Sequence, residues 1–217
     1  MLFTRFARRL GFVSAVATVV LLVAYAVTLA IGLSTLASPD QPIGDPIFSI
    51  LEILIVAMMP SIVTLMVALH AWATARSKAL GFAAVVFIGL LAGVTCSSHF
   101  VILTVSHRPP FAGQPWLPLI LTFKWPSTSY ALDILAWNVF FPSRCCSLLL
   151  PSVEVCSHSW IRWLMIVSAV LAFGGLSGVV SGDMQLRNID ILGYVPVFLV
   201  VAMLLAVLFR RSQPVQD

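Results

Sequence analysis

Long apolar runs with few or no charged residues are the feature that most constrains this chain. The first extends from Gly11 to about Leu36 and follows the basic residues Arg5, Arg8 and Arg9. A secretory signal peptide has an apolar core of only about 7–15 residues, whereas roughly 20 apolar residues cross a bilayer as a helix. The run therefore predicts a first transmembrane helix, with a cleaved signal peptide as the alternative.

Further runs of the same kind follow, and 60% of the residues are hydrophobic while only 9% are charged. No soluble domain of this length needs that much apolar surface. We predict an all-α fold, a polytopic transmembrane helical bundle of about six helices that forms a single integral membrane domain over residues 1–217, with the lipid bilayer as its main partner. The predicted spans are residues 11–36, 47–73, 79–105, 127–150, 160–180 and 189–209.

The fourth span is the weakest, because a proline, an arginine and the pair Cys145-Cys146 interrupt it. The stretch from 142 to 159 is either the native end of this helix or the product of a local reading-frame error in the source sequence. Ahead of the span, the apolar patch 116–125 is too short to cross the membrane. We expect this patch to lie at the interface, with a re-entrant course as the alternative.

The distribution of Lys and Arg predicts the orientation, because cytoplasmic loops of membrane proteins are enriched in both residues. If both termini are cytoplasmic, the outer loops contain only Arg108, Lys124 and Arg187 of the 12 basic residues. We therefore predict an N-in/C-in topology in the cell inner membrane. The basic residues form no patch, which argues against a nucleic-acid partner.

Small residues spaced four apart occur in the third and fifth spans. Such spacing lets helix backbones approach closely in lipid. We expect these residues to pack inside the bundle, with homodimerisation as the alternative, and the oligomeric state stays open. The residues are Gly89, Gly93 and Ser97 in the third span and Gly174, Gly178 and Gly182 in the fifth.

Ionisable residues inside the spans are few, and each costs roughly 2 to 4 kcal/mol at the centre of a bilayer. Glu52, His99 and Asp133 all fall in the outer half of the predicted membrane, at comparable depth. Tyr130 lies on the same helix face as Asp133 because three residues separate them. We interpret these four residues as a candidate ligand-binding pocket that opens outward.

Three interpretations of this polar set are open. The side chains bind a small ligand or relay protons, or they only hydrogen-bond to neighbouring helices and reach the interface, or they hold a divalent cation. No HExxH or paired-histidine spacing supports a metal site, so we predict neither a metal nor a cofactor.

Known catalytic and cofactor motifs are missing from the sequence. The favoured function is the binding or transport of a small ligand through the polar pocket. One alternative is a membrane-embedded enzyme that acts on a lipid or isoprenoid with Asp133 or His99 as acid or base. The other is a structural or assembly subunit of a membrane complex.

The segments SHFVILTVSHRP, FKWPSTSYALDILAWNVFF and GDMQLRNIDILGYVPVF resemble small, uncharacterised multi-pass inner-membrane proteins of bacteria. The resemblance covers about the C-terminal half of the chain. It implies a bacterial inner-membrane location and carries no activity, substrate or assigned site.

Overall fold

A computed structural model describes residues 3–38, 41–106, 108–111, 113–144 and 159–213 of the chain. These residues form helices and connecting segments, without a strand in any of the described ranges. The predicted end of the fourth span, including Cys145 and Cys146, lies outside them. Most of the stretch from 142 to 159 does so too.

Helices that are long and apolar enough to cross a membrane dominate the fold. Large apolar side chains such as Val27, Phe82 and Val170 point outward from these helices and are more than half exposed. A surface of this kind is stable in lipid, where every backbone group must be hydrogen-bonded within the protein. The chain is therefore an all-α helical bundle and an integral membrane protein, which confirms the predicted fold class. Among the described residues, five stretches meet the length and hydropathy requirement: Arg5–Ser34, Ile47–Trp72, Ala75–Val105, Trp160–Ser181 and Met184–Arg211.

Within the described ranges, six principal helices form the bundle, and shorter helices connect them. The principal helices are α1 (Arg5–Ser34), α2 (Ile47–Trp72), α3 (Lys78–Val105), α4 (Thr128–Ile134), α5 (Ser159–Gly174) and α6 (Phe198–Arg211). The shorter helices are Leu117–Ile120, Leu176–Ser181, Met184–Arg187 and Ile189–Leu192, and two π-helical segments cover Leu135–Phe140 and Gly193–Val197.

Side-chain caps determine where several helices begin. The Thr4 hydroxyl accepts a hydrogen bond from the backbone N–H of Ala7, and the Ser127 hydroxyl accepts one from Tyr130. Each cap satisfies a backbone donor that has no partner within the helix. The Thr4 cap starts α1 well before Gly11, so the helix includes the basic residues that precede the first apolar run.

The fourth segment is helical from Thr128 to residue 144, through α4 and the π-helical segment Leu135–Phe140. At about 1.5 Å per residue, this described part is roughly 25 Å long. It is close to the thickness of the hydrocarbon core, which is about 30 Å. A sixth crossing therefore stays a prediction.

Helix α1 packs against both α2 and α6, and α2 also packs against α3. Between them lies a core of fully buried side chains that includes Leu65, Ile88, Leu91 and Phe209. The Thr18 hydroxyl of α1 also donates a hydrogen bond to the Ser61 hydroxyl of α2, at 3.1 Å. The first three helices and α6 thus form one side of the bundle.

The expectation that the small residues of the third span pack inside the bundle is wrong. A Cβ atom added at Gly89 or Gly93 would meet nothing within 4 Å among the described residues, and both glycines face outward. In the C-terminal half the expectation holds for Gly178, whose added Cβ would lie 2.7 Å from the backbone N of Arg187. A different glycine, Gly193, makes the close contact with α5. A Cβ atom added there would lie 2.8 Å from the backbone oxygen of Ser168.

Alanine substitution at Gly193 should destabilise the protein by about 1–3 kcal/mol, because the new methyl group meets fixed backbone. Gly89→Ala is the matched control, since its methyl group enters open space. Both variants are purified in a mild detergent and unfolded by titration with a denaturing detergent. The titration gives the difference between their free energies of unfolding. Equal stability of the two variants would contradict the packing described for Gly193.

Candidate functional site

Three of the predicted site residues lie near the same end of the bundle. Glu52 is in the second turn of α2, Asp133 is in the second turn of α4, and His99 is in the last two turns of the antiparallel helix α3. Helices α2 and α4 therefore begin at the end of the bundle where α3 ends. This arrangement places the three side chains at one depth.

His99 joins the two carboxylates. Its Nδ1 atom lies 2.7 Å from Glu52 Oε2, and its Nε2 atom lies 3.6 Å from Asp133 Oδ1. The exposed fraction is only 2% for His99 and 4% for Glu52. A hydrogen bond in such a dry environment is stronger than one in water, and an unpaired charge there is costly. The imidazole thus connects α2 to α4 through α3.

Arg187 extends the chain of charges from the other side of Asp133. Its Nη2 atom donates to Asp133 Oδ2 at 2.9 Å, and its Nη1 atom donates to the Tyr130 hydroxyl at 2.7 Å. The guanidinium also lies over the Tyr130 ring, 4.4 Å from its centroid. Planar guanidinium groups suit this combination of carboxylate pairing and aromatic stacking. Asp133 and Tyr130 are therefore held by one arginine.

A second layer of polar groups lies behind Arg187. The Nε atom of Arg187 is 3.6 Å from Asp190 Oδ2, and Asn138 Nδ2 donates to the same carboxylate oxygen at 2.7 Å. Asn138 also donates to the backbone oxygen of Ala172 in α5, at 2.7 Å. Because Asn138 and Asp190 are fully buried, these contacts join α5 and the C-terminal segment to the charged network.

The two π-helical segments begin soon after the two aspartates of the network. Leu135–Phe140 follows Asp133 and contains Asn138, while Gly193–Val197 follows Asp190 and contains Tyr194. A π-helical turn holds one more residue than an α-helical turn and so changes which face the following side chains occupy. The Ser168 hydroxyl donates to the backbone oxygen of Gly193 at 2.8 Å and supports the second segment from α5.

A cavity of about 330 Å³ adjoins the network. Glu52, His99, Asp133 and Arg187 line its polar part. Its other walls are mostly apolar or aromatic, with the polar side chains of Gln41 and Asn188 among them. Representative wall residues are Leu22, Tyr25, Leu29, Ile55, Trp137 and Tyr194.

A second cavity of about 640 Å³ lies beside the first and is lined mainly by the predicted interfacial patch. Phe48 and Phe123 line both cavities. The Phe123 ring packs on the imidazole of His99, with their centroids 4.5 Å apart. Phe123 therefore lies at the boundary between the two cavities. The patch contains only the short helix Leu117–Ile120, and its placement at the membrane interface stays a prediction.

The structure brings Glu52, His99, Asp133 and Tyr130 together around one cavity, while their role in ligand binding stays a prediction. Arg187 was expected in a loop outside the spans, whereas the structure places it within the candidate span Met184–Arg211. The side of the membrane at which it lies stays a prediction. Arg187 is only 5% exposed and belongs to the short helix Met184–Arg187. The sequence contained one signal for this role. Arg187 and Asp190 are three positions apart at the start of the last apolar run, a spacing that places both side chains on one helix face.

Other members of the network carried no recognisable signal. Asn138 and Tyr194 are ordinary polar and aromatic residues in apolar runs, and Tyr25 lies in the middle of the first span. Within the part of the chain that the structure describes, no group of three His, Cys, Asp or Glu side chains is arranged to hold a metal ion.

The fold and the site together define a helical integral membrane protein with a buried network of charges beside a cavity. No known protein family, curated protein or solved structure matches this chain.

Breaking the Asp133–Arg187 pair on one side should strongly destabilise the protein. We expect Asp133→Asn and Arg187→Gln each to cost about 3 kcal/mol, because each removes the closest charged partner of the remaining residue. The double variant should cost at least ~1 kcal/mol less than the sum of the two. Denaturation of the purified variants measures these values, with Asp183→Asn as the control at an exposed helix cap. Strict additivity would contradict a direct interaction.

Proposed function

We propose that this membrane protein binds a small amphipathic ligand in the cavity beside the charged network and thereby acts as a ligand-binding or transport protein. The observation that supports this proposal is the cavity itself, which has Glu52, His99, Asp133 and Arg187 in one part and mostly apolar or aromatic walls elsewhere. Its volume of about 330 Å³ falls in the range of about 300–1,000 Å³ that is typical of small-molecule sites. The charged part recognises a polar group, and the walls accommodate an apolar body.

The proposed cavity lies in the outer half of a bacterial inner membrane. Support for this orientation comes from the excess of Lys and Arg in the loops on the opposite side of the predicted topology. The network lies near the end of the bundle where α1 ends and α2 begins, which the same topology assigns to the outside. The resemblance to inner-membrane proteins of bacteria supports the choice of membrane.

A structural role is the second candidate, and the mutual pairing within the network favours it. Glu52 pairs with His99, and Arg187 pairs with Asp133. Charges paired in this way can specify how helices associate without binding anything else. Under this alternative, the protein is a structural or assembly subunit, and the cavity is a packing defect filled by lipid or water.

Filling the cavity separates these two candidates. Leu29→Trp places a large side chain on the cavity wall, whereas Val27→Trp places the same side chain on the outward face of the same helix. We expect some members of a panel of small amphipathic compounds to raise the melting temperature of the wild-type protein and of Val27→Trp. The same compounds should leave Leu29→Trp unchanged.

The measurement is a thermal-shift assay on protein in lipid nanodiscs, with aggregation and tryptophan fluorescence as independent signals. If no compound stabilises the wild-type protein, or if Leu29→Trp responds as fully as Val27→Trp, the cavity is not the binding site. The structural role would then be the better account.

A further inference from the structure

We propose that the ligand of this cavity is a protonated amine carried on an apolar body. This inference rests on the proposed function and adds the chemical class of the ligand. Its observations are the balance of charge in the network, the hydrogen-bonding roles of the atoms that face the cavity, and the aromatic walls.

The network contains more negative than positive groups. Its carboxylates belong to Glu52, Asp133 and Asp190, while its cationic partners are Arg187 and His99. Even with a positively charged imidazole, three carboxylates face two cations. With a neutral imidazole, they face one. A ligand that brings one positive charge therefore improves the balance in a dry site, where uncompensated charge is costly.

The carboxylates of Glu52 and Asp133 line the cavity. An ionised carboxylate only accepts hydrogen bonds, and its two oxygens offer about four acceptor positions. His99 lies between the two side chains, with Nδ1 2.7 Å from Glu52 Oε2 and Nε2 3.6 Å from Asp133 Oδ1. The N–H groups of an ammonium ion would donate to the acceptor positions of the two carboxylates that the imidazole does not use.

An anionic ligand fits this cavity poorly, because its strongest cation is already occupied. Arg187 pairs with Asp133 on one side and approaches Asp190 on the other. It also donates to Tyr130 and covers the ring of that residue. A carboxylate or phosphate would have to replace one of these partners and would add a fourth negative charge.

The aromatic walls provide a further attraction for a cation. Tyr25, Trp137 and Tyr194 line the cavity together with the charged residues. Ring faces attract ammonium groups, and they do so more strongly when water is excluded. The apolar body of the ligand would contact the leucine side of the cavity, which Leu22 and Leu29 of α1 form.

Three probes of the same size test the proposal on the wild-type protein. They are 2-phenylethylamine, which is cationic at neutral pH, 2-phenylethanol, which is its uncharged isostere, and 3-phenylpropanoate, which is anionic. Binding is measured by equilibrium dialysis against nanodiscs of a zwitterionic lipid, and the uptake by empty nanodiscs is subtracted. We expect the amine to bind about tenfold or more tightly than the alcohol, which corresponds to about 1.4 kcal/mol, and the carboxylate to bind less than either.

The outcomes separate the two claims. If the alcohol or the carboxylate binds as tightly as the amine, and Leu29→Trp abolishes that binding, the inference about charge is overturned and the proposed function stands. If none of the three probes binds, both claims are contradicted. If the amine binds equally to Leu29→Trp, its site lies elsewhere and the inference also fails.

A neutralising variant locates the charge that selects the amine. Glu52→Gln should weaken amine binding about tenfold and leave alcohol binding unchanged, because it removes one negative charge and keeps the shape of the side chain. Asp183→Asn is the matched control, since Asp183 is an exposed carboxylate that does not line the cavity. Equal losses of amine and alcohol binding in Glu52→Gln would indicate a structural effect and would contradict the role of this charge. Should Glu52→Gln fail to fold, the probe series on the wild-type protein decides.

Discussion

The pairing of His99 with Glu52 and Asp133, and of Asp133 with Arg187, is the interaction on which the arrangement of the helices depends. A charge inside a bilayer is tolerated only when another group compensates it. These four residues come from α2, α3, α4 and the helical stretch before α6. A shift of any one helix along its axis would separate a buried ion from its partner, so the network selects one register of the bundle.

The same constraint explains why the cavity and the π-helical segments occur together. Helices that meet through long polar side chains cannot also pack closely at that level, and a space remains beside the network. The π-helical segments after Asp133 and Asp190 bring Asn138 and Tyr194 toward it. Gly193 meanwhile allows close contact with α5. The close contact at Gly193 and the cavity beside the network are thus both parts of one arrangement of the helices.

Much of this architecture could be predicted from the sequence because lipid imposes simple rules. Length and hydropathy predict the helices, and the distances of Glu52, His99 and Asp133 from the helix ends predict their common depth. Arg187 was missed because a basic residue before an apolar run is normally assigned to a loop. The inward packing expected of Gly89 and Gly93 was wrong because residue spacing defines a helix face without indicating what that face contacts. Asn138 acquires its role only through a partner that is distant in sequence.

The most direct test of the network is the distance between the His99 ring and the side-chain carboxyl carbons in the folded membrane protein. Solid-state NMR on ring-¹⁵N histidine and carboxyl-¹³C glutamate, with the other histidines replaced by glutamine, measures the dipolar coupling between Nδ1 and the Glu52 carboxyl carbon. The account predicts a strong coupling that disappears in Glu52→Gln, because Nδ1 lies 2.7 Å from a carboxylate oxygen. An imidazole without coupling to any glutamate carboxyl would contradict the network and the site built on it.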